Sequence, residues 1–303
     1  MNKQEEKKTP LSGLGEFGMI DHITRWVRLG NSSTIMGVGD DAAVLDYGGN
    51  HMVLTTDLLL EGIHFKLGYT PLKHLGYKSV VVNLSDVYAM NAVPKQVTVS
   101  LGISGKLFLE DIDELYEGVR LACEHYGVDL IGGDVSASMT GLLISVTATG
   151  EARKENLTYR SGAMPGDLIC VTGNLGASYL GLQVLEREDR IFLSDPSYRP
   201  GLEGYDYVLQ RQLRPEARRD VVEWFGLHGL VPHSMIDISD GLSSDLLHVC
   251  KTSGVGCTIW ADRIPVHEAS RKVAEEFAME PETAALNGGE DYELLFTVPA
   301  EKL

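Results

Sequence analysis

The sequence predicts a two-domain α/β (α+β) protein, with a mixed sheet and helices in the N-terminal domain and an α/β C-terminal domain. The chain has 303 residues, enough for two domains of roughly 100–200 residues each. Hydrophobic residues make up 44 % of it, so a sizeable core can form. A polar segment containing Gly and Pro, 153–167, lies near the midpoint and is typical of a domain boundary. We therefore expect a disordered tail at 1–12 and domains at 13–152 and 153–303.

The N-terminal domain is predicted from short β-type runs interleaved with two helical patterns. In the helical patterns, apolar residues recur at spacings of three and four, as on one face of an α-helix. The predicted strands are 51–60, 95–103, 128–134 and 141–152, and the predicted helices are 71–91 and 109–126.

The C-terminal domain shows the same two kinds of pattern. The predicted strands are 167–173, 234–239, 256–262 and 292–298, and the predicted helices are 177–188 and 241–252. Pro, Gly and Tyr residues in 189–207 predict a long loop there.

The composition excludes two classes of partner. The chain has 43 acidic and 26 basic residues, for a formal net charge of −17, which disfavours nucleic acid and anionic membranes. No apolar run reaches the roughly 18 residues of a membrane span, and the charged start lacks the apolar core of a signal peptide. The four cysteines form no CxxC pair and are predicted to be buried free thiols. We expect a soluble cytoplasmic protein.

Acidic residues next to small residues are the main functional signal. Such clusters are GVGDDAAV (37–44), TTD (55–57), NLSD (83–86), GGD (132–134), DISDGLSSD (237–245) and GGEDYE (288–293). Each alone is compatible with a turn or a helix cap, and for Asp240 a cap and a functional role stay equally open. If the clusters converge, their repulsion requires cations, and Mg²⁺ prefers oxygen ligands of this kind. Metal ions would then offset the charge of a phosphate ligand.

Two further patterns leave alternatives open. The helix at 71–91 is apolar nearly all round, which predicts burial, yet Ser79, Asn83 and Asp86 fall on one stripe. A buried polar stripe is satisfied either by a structural network or by a ligand. The turn TGNLGAS (172–178) before a helix either binds an anion or is structural. The chain has no GxxxxGK[ST] motif, and therefore no P-loop of that type.

Seven motifs together resemble the thiamine-monophosphate kinase family, in that family's order and approximate spacing. They are GVGDDAAV, TTDLLLEGIHF, NLSDVYAMNAVP, IGGD, TYRSGAMPGD, DISDGLSSDL and GGEDYELLF. The wider superfamily includes aminoimidazole ribonucleotide synthetase, selenophosphate synthetase and a hydrogenase-maturation protein. The resemblance implies ATP as co-substrate, several Mg²⁺ ions, thiamine monophosphate as acceptor, an active site in the cleft between the domains, and a homodimer formed through the N-terminal strands.

The resemblance also implies roles for particular residues. Eight would ligate Mg²⁺: Asp41, Thr55, Thr56, Asp57, Asp86, Asp134, Asp237 and Asp240. Five would contact ATP: Gly133, Asp134, Arg160, Ser239 and Tyr116. His64 and Glu290 would contact thiamine monophosphate, and Asp40 would act through water.

The resemblance leaves two alternative functions and one expectation about length. Another ATP-dependent enzyme of the superfamily is the nearest alternative, although the reactive N-terminal Cys of selenophosphate synthetase has no counterpart before Cys123. A non-catalytic Mg–nucleotide-binding regulator is the second. Family chains usually continue a few dozen residues beyond the strand that ends near Val298, and an aromatic residue there is expected to contact thiamine.

Overall fold

The computed structural model describes Met19 and residues 22–36, 44–45 and 50–302. The chain divides into two compact units. The first contains 54–83, 95–149 and the described residues before position 46, and the second contains 50–53, 84–94 and 150–302.

Two sheets belong to the N-terminal half of the chain. The short strands β1 (Thr34–Met36) and β2 (Val44–Leu45) pair in antiparallel orientation. The larger sheet has the order β3-β6-β4-β5, in which β4 and β5 run parallel. Its strands are β3 (His51–Leu60), β4 (Val93–Ser104), β5 (Asp129–Ser138) and β6 (Leu143–Ala152). All four were predicted from the sequence.

Two long helices accompany these strands, α1 (Leu72–Ala89) and α2 (Leu109–Tyr126). Every residue from 75 to 85 in α1 is buried, which confirms the expectation from its nearly all-apolar surface. The two helices approach closely because each has a glycine at the contact. A Cβ atom on Gly76 would lie 1.9 Å from the Leu115 carbonyl oxygen, and one on Gly118 would lie 1.9 Å from that of Lys73.

The second unit contains an antiparallel three-stranded sheet of order β7-β9-β8. Its strands are β7 (Leu168–Val171), β8 (Ser234–Asp237) and β9 (Leu294–Val298). Six helices accompany them in the part of this unit that is described: α3 (Ala177–Ser194), α4 (Asp206–Leu213), α5 (Arg219–His228), α6 (Leu242–Ser253), α7 (Glu268–Glu276) and α8 (Pro281–Asn287).

Two apolar clusters form the core of this unit. One packs α6 against β8 and β9, around Ile236, Leu246 and Leu295. The other packs α3 against α4, α7 and α8, around Leu180, Val208 and Val273. Apolar burial of this kind is the main stabilising contribution to a fold, at about 25 cal/mol per Å² removed from water.

Two element predictions were wrong. Residues 256–262 form no strand; 256–260 are exposed and end in a 3-10 turn at Ala261–Arg263. A β-type pattern does not make a strand where no neighbouring strand bonds its backbone groups. The loop predicted at 189–207 is shorter in the structure than in the prediction. Helix α3 continues to Ser194, just before the helix-breaking Pro196, and α4 begins at Asp206.

The cysteines are free thiols, as predicted, but only two of them, Cys123 and Cys250, are buried. Cys170 is half-buried and Cys257 is exposed. Within the described ranges, no helix has the length and apolar character needed to cross a membrane.

Candidate functional site

In the first unit, the candidate site begins on β3. Side chains alternate along a strand, so Thr55 and Asp57 share one face, which is partly buried, while Thr56 lies on the exposed face. The backbone N–H of Asp57 donates a hydrogen bond of 3.0 Å to Oδ1 of Asn83 in α1. The Thr56 hydroxyl instead donates to the Val146 carbonyl at 3.0 Å. The same hydroxyl accepts a hydrogen bond of 3.0 Å from the Thr147 hydroxyl, so the Thr56 side chain is bonded to the neighbouring strand β6.

The polar stripe on α1 is hydrogen-bonded to protein groups at Ser79 and Asn83. The Asn83 amide donates to the Ser79 carbonyl at 3.0 Å, and the Ser79 hydroxyl donates to the Gly76 carbonyl at 2.9 Å. Asn83 is fully buried and Ser79 nearly so, which agrees with a structural network that fixes the Asp57 backbone. Asp86, the third position, is half-buried.

On β5, Gly133 and Asp134 are exposed. Gly133 lies opposite Val99 of β4, and a Cβ atom on it would come 1.8 Å from the Val99 carbonyl oxygen. Strand pairing alone thus requires a glycine at this position, whatever ligand lies nearby.

His64 lies in the tight turn that follows β3 and is exposed. Its Nδ1 atom accepts a hydrogen bond of 3.0 Å from the Leu60 backbone N–H. A neutral imidazole that accepts at Nδ1 carries its proton on Nε2, so the ring presents a donor suited to a phosphate oxygen.

Tyr116 is placed differently from the other predicted ATP contacts. It is 5 % exposed on α2, and burial raises its phenol pKa far above the ordinary value. It lines a cavity of about 240 Å³ whose other walls include Trp26, Arg25 and Arg120. None of the other predicted site residues that the structure describes lines that cavity.

In the second unit, Asp237 is the last residue of β8 and is 3 % exposed. Its carboxylate accepts a hydrogen bond of 2.7 Å from the hydroxyl of Ser85, which is fully buried. Ser85 directly precedes Asp86 on α1. The bond therefore brings the α1 backbone at Asp86 to the end of β8.

Ser239 and Asp240 follow in an exposed turn before α6. The helix N-cap is Gly241, without a side-chain cap bond, so the structure does not give Asp240 the capping role that the sequence left open. The Asp240 backbone N–H donates to the buried Asp245 carboxylate at 3.2 Å. Burial, together with the nearby Asp240 charge, raises the pKa of Asp245 to about 6. Asp245 thus shapes the turn that presents Asp240.

The segment that carries Glu290 bonds to this turn. The Glu290 N–H donates to the Ser239 carbonyl at 2.8 Å, and the Tyr292 N–H donates to the Ile238 carbonyl at 2.9 Å. These bonds bring the backbone of Glu290 beside Ser239. Glu290 and Tyr292 adopt φ angles of 57° and 52°, which non-glycine residues rarely do and which cluster at functional sites.

The other two acids of GGEDYE have structural roles. Asp291 is fully buried and accepts from the Gly176 N–H at 2.6 Å, at the start of α3, and burial raises its pKa to about 6. The TGNLGAS turn therefore holds an anion that belongs to the chain itself, which supports its structural interpretation. Glu293 is 2 % exposed and pairs with Arg211 at 2.9 Å and Arg218 at 2.6 Å.

The remaining predicted residues are less constrained. Arg160 is exposed, one position after Tyr159, whose carbonyl accepts from the Met235 N–H of β8 at 2.9 Å. Asp40 and Asp41 lie outside the described residues. Among the side chains that are described, no group of three or more His, Cys, Asp or Glu is arranged to hold a metal ion. The oxygen donors that are present nevertheless match the ligand chemistry of Mg²⁺.

A family model and several known proteins match the chain. Residues 39–152 match the family described as AIR synthase related protein, N-terminal domain. The thiamine-monophosphate kinase of Aquifex aeolicus is 38 % identical over 293 residues, covering 96 % of this chain and 88 % of the relative. That of Bacillus subtilis is 35 % identical over 292 residues, covering 95 % of this chain and 85 % of the relative.

Solved structures of thiamine-monophosphate kinases are also similar to this chain. AaThiL complexed with AMPPCP and TMP has a TM-score of 0.75 and 36 % identity, over 98 % of this chain and 89 % of that one. The thiamine-monophosphate kinase of Stenotrophomonas maltophilia has a TM-score of 0.80 and 32 % identity, over 95 % of this chain and 87 % of that one. The hydrogenase maturation protein HypE in complex with ATP, at 20 % identity and a TM-score of 0.70, shares the fold. This chain belongs to the thiamine-monophosphate kinase family.

Proposed function

We propose that this kinase transfers the γ-phosphoryl group of ATP directly to thiamine monophosphate, giving thiamine diphosphate and ADP, with Mg²⁺ as the required metal. The observation that carries the proposal is similarity along about 95 % of the chain to curated thiamine-monophosphate kinases. The structural relative that holds AMPPCP and TMP supports the same pair of substrates.

The acceptor chemistry explains why no general base is required. A phosphate monoester has a second pKa of about 6 and is largely ionised at neutral pH. The attacking oxygen therefore needs no proton removed, and the main difficulty is to bring two polyanions together on a chain whose net charge is already −17. Bound Mg²⁺ would supply positive charge that aligns the phosphates and offsets charge that develops during transfer.

We assign the residue roles that the resemblance implied. The Mg²⁺ ligands are Asp41, Thr55, Thr56, Asp57, Asp86, Asp134, Asp237 and Asp240. The ATP contacts are Gly133, Asp134, Arg160, Ser239 and Tyr116, and the thiamine monophosphate contacts are His64 and Glu290. The bonds that fix the backbones of Asp57 and Glu290, and the exposed donor atom of His64, support these roles.

We further propose that the chain forms a homodimer through its N-terminal strands. Among the described strands, β3 is at the edge of its sheet, and on its outer face Leu54 is 60 % exposed and Leu58 is 46 % exposed. Large apolar side chains in a row on an edge strand are typical of a surface covered by a partner. Sedimentation that shows a monomer at micromolar concentration would remove this proposal.

The activity is tested by ADP release, measured with thiamine monophosphate, thiamine and aminoimidazole precursors as competing acceptors. We expect turnover with thiamine monophosphate, lost when EDTA removes Mg²⁺ and restored when Mg²⁺ is added back. Turnover with an aminoimidazole precursor instead would indicate another enzyme of the superfamily. ATP binding without turnover on any acceptor would indicate a non-catalytic regulator.

A further inference from the structure

A short chain of hydrogen bonds runs from the interior of the second unit to Glu290. Gln212, in the last turn of α4, donates from Nε2 to Oε2 of Glu290 at 3.1 Å. The Oε1 atom of Gln212 accepts from the hydroxyl of Ser178 at 2.5 Å. Ser178 is fully buried and Gln212 is 5 % exposed, whereas Glu290 is only half-buried. Of the three side chains, the carboxylate is the one that reaches solvent.

The chemistry of the three groups fixes the direction of both bonds. An ionised carboxylate only accepts hydrogen bonds, so the amide nitrogen of Gln212 must face Glu290. The amide oxygen then faces Ser178, whose hydroxyl must donate. Since neither Ser178 nor Gln212 can turn without leaving a buried polar group unpaired, the amide is held in one orientation.

The backbone of Glu290 is held as well. Its N–H bonds to Ser239, and its φ of 57° fixes the direction in which the side chain leaves the main chain. Without a partner, a Glu side chain would still sample many rotamers about its remaining torsions. The hydrogen bond from Gln212 restricts them.

We propose that Gln212, oriented by Ser178, is a positioning residue that holds the Glu290 carboxylate in place for thiamine monophosphate. The proposal rests on the substrate-binding role proposed for Glu290. It also gives the TGNLGAS motif a function, because Ser178 ends that motif. The motif then supports the substrate loop from within the protein and does not bind an external anion.

The test replaces Gln212 by Met, which keeps a similar shape but removes both hydrogen bonds. We expect the KM for thiamine monophosphate to rise about tenfold, in line with a lost bond to a charged group, while the KM for ATP stays within about twofold. The matched control is Gln210→Met, on the same helix but exposed, which should leave both constants unchanged. A merely structural role would lower the melting temperature without separating the two KM values.

Two more variants decide the outcome. Ser178→Ala removes the bond to the amide oxygen of Gln212. It should raise the KM for thiamine monophosphate, but by less than Gln212→Met does. If Gln212→Met does not fold, Ser178→Ala tests the proposal in its place. Glu290→Gln should raise the KM for thiamine monophosphate at least as much as Gln212→Met. If Glu290→Gln changes nothing, the substrate role of Glu290 fails. If Glu290→Gln raises this KM but Gln212→Met and Ser178→Ala behave like wild type, only the positioning role is overturned.

Discussion

The backbone N–H of Asp57 donates to Oδ1 of Asn83 at 3.0 Å, which ties β3 to α1 across 26 residues of sequence. Asn83 is fully buried and uses its amide nitrogen for the Ser79 carbonyl, so both ends of its side chain are bonded inside the protein. A residue on the polar stripe of α1 thereby fixes the main chain that carries a proposed Mg²⁺ ligand.

Replacing Asn83 by Ala should therefore destabilise the fold. The change removes the bond that Asn83 accepts from the Asp57 N–H and opens a small cavity, and together these should lower the free energy of unfolding by about 2–4 kcal/mol. Urea unfolding followed by circular dichroism measures it. Asn50→Ala is the control. Asn50 is exposed and its amide donates a hydrogen bond of 3.2 Å to the Glu151 carboxylate, so its loss should cost less than about 0.5 kcal/mol. Equal effects of the two changes would contradict the argument.

Helix α1 also shows which helices could be predicted from the sequence alone. The predicted helices 71–91 and 109–126 match α1 and α2 closely, because each is long and has a clear apolar pattern. Helices α7 and α8 have nine and seven residues, and were not predicted. Helices this short depend on tertiary packing, here against α3, which local sequence patterns do not reveal.

In the candidate site, too, some residues could be predicted from the sequence and others could not. The motifs indicated Asp57, Asp240 and Glu290, and the structure places Glu290 beside Ser239. Their supporting residues were not predicted as such. Asp291, for example, bonds to Gly176 over 115 positions of sequence, a contact that only the fold creates. An acidic residue that caps a distant helix has the same local sequence features as one that binds metal.

Asp57→Asn and Asp240→Asn should each abolish turnover while the fold stays intact. Each change keeps the size of the side chain but removes the charge that a hard cation prefers. We expect at least about a hundredfold loss of activity, roughly 2.7 kcal/mol of transition-state stabilisation. The melting temperature without metal should stay near wild type, whereas its rise on adding Mg²⁺ should shrink.

The matched control for these two variants is Asp262→Asn, an exposed acid in the 3-10 turn of the second unit, which should keep both turnover and the Mg²⁺ response. If Asp57 and Asp240 only formed turns, Asn would replace them almost equally well. Near-normal turnover of both variants at saturating Mg²⁺ would therefore contradict the assignment of these residues as metal ligands.

Gly133 should not tolerate even alanine, for a reason independent of ATP. The added methyl group would lie 1.8 Å from the Val99 carbonyl oxygen, so β4 and β5 would have to separate. We expect a loss of about 3 kcal/mol or more in unfolding free energy. At neighbouring Gly132 nothing lies within 4 Å of an added Cβ, so Gly132→Ala should be neutral or slightly stabilising. Similar melting temperatures for the two variants would refute this account.

Cys257 should be the first thiol to react in the folded protein. It is exposed, whereas Cys123 and Cys250 are buried, and burial raises the pKa of the Cys123 thiol to about 12. A chromogenic disulfide reagent should label one thiol quickly, and all four after denaturation. Cys257→Ser should remove the fast phase. If that phase survives the substitution, another thiol, with half-buried Cys170 the first to check, is the accessible one.

Asp291 should make the fold more stable as the pH falls from 7 to 5. Burial raises its pKa from 3.8 to about 6, so in this window the folded state binds a proton that the unfolded state does not. Protonation therefore favours folding, and the gain is lost again as pH rises through 6. Between pH 7 and pH 5, wild type should gain about 1 kcal/mol more in unfolding free energy than Asp291→Asn, which cannot titrate there. Asn can still accept the Gly176 bond, although its amide nitrogen cannot accept the longer contact of 3.5 Å from the Ser178 N–H. That loss does not depend on pH, so the difference between the two pH profiles reports the titration of Asp291. Parallel pH profiles for the two proteins would contradict the raised pKa of Asp291.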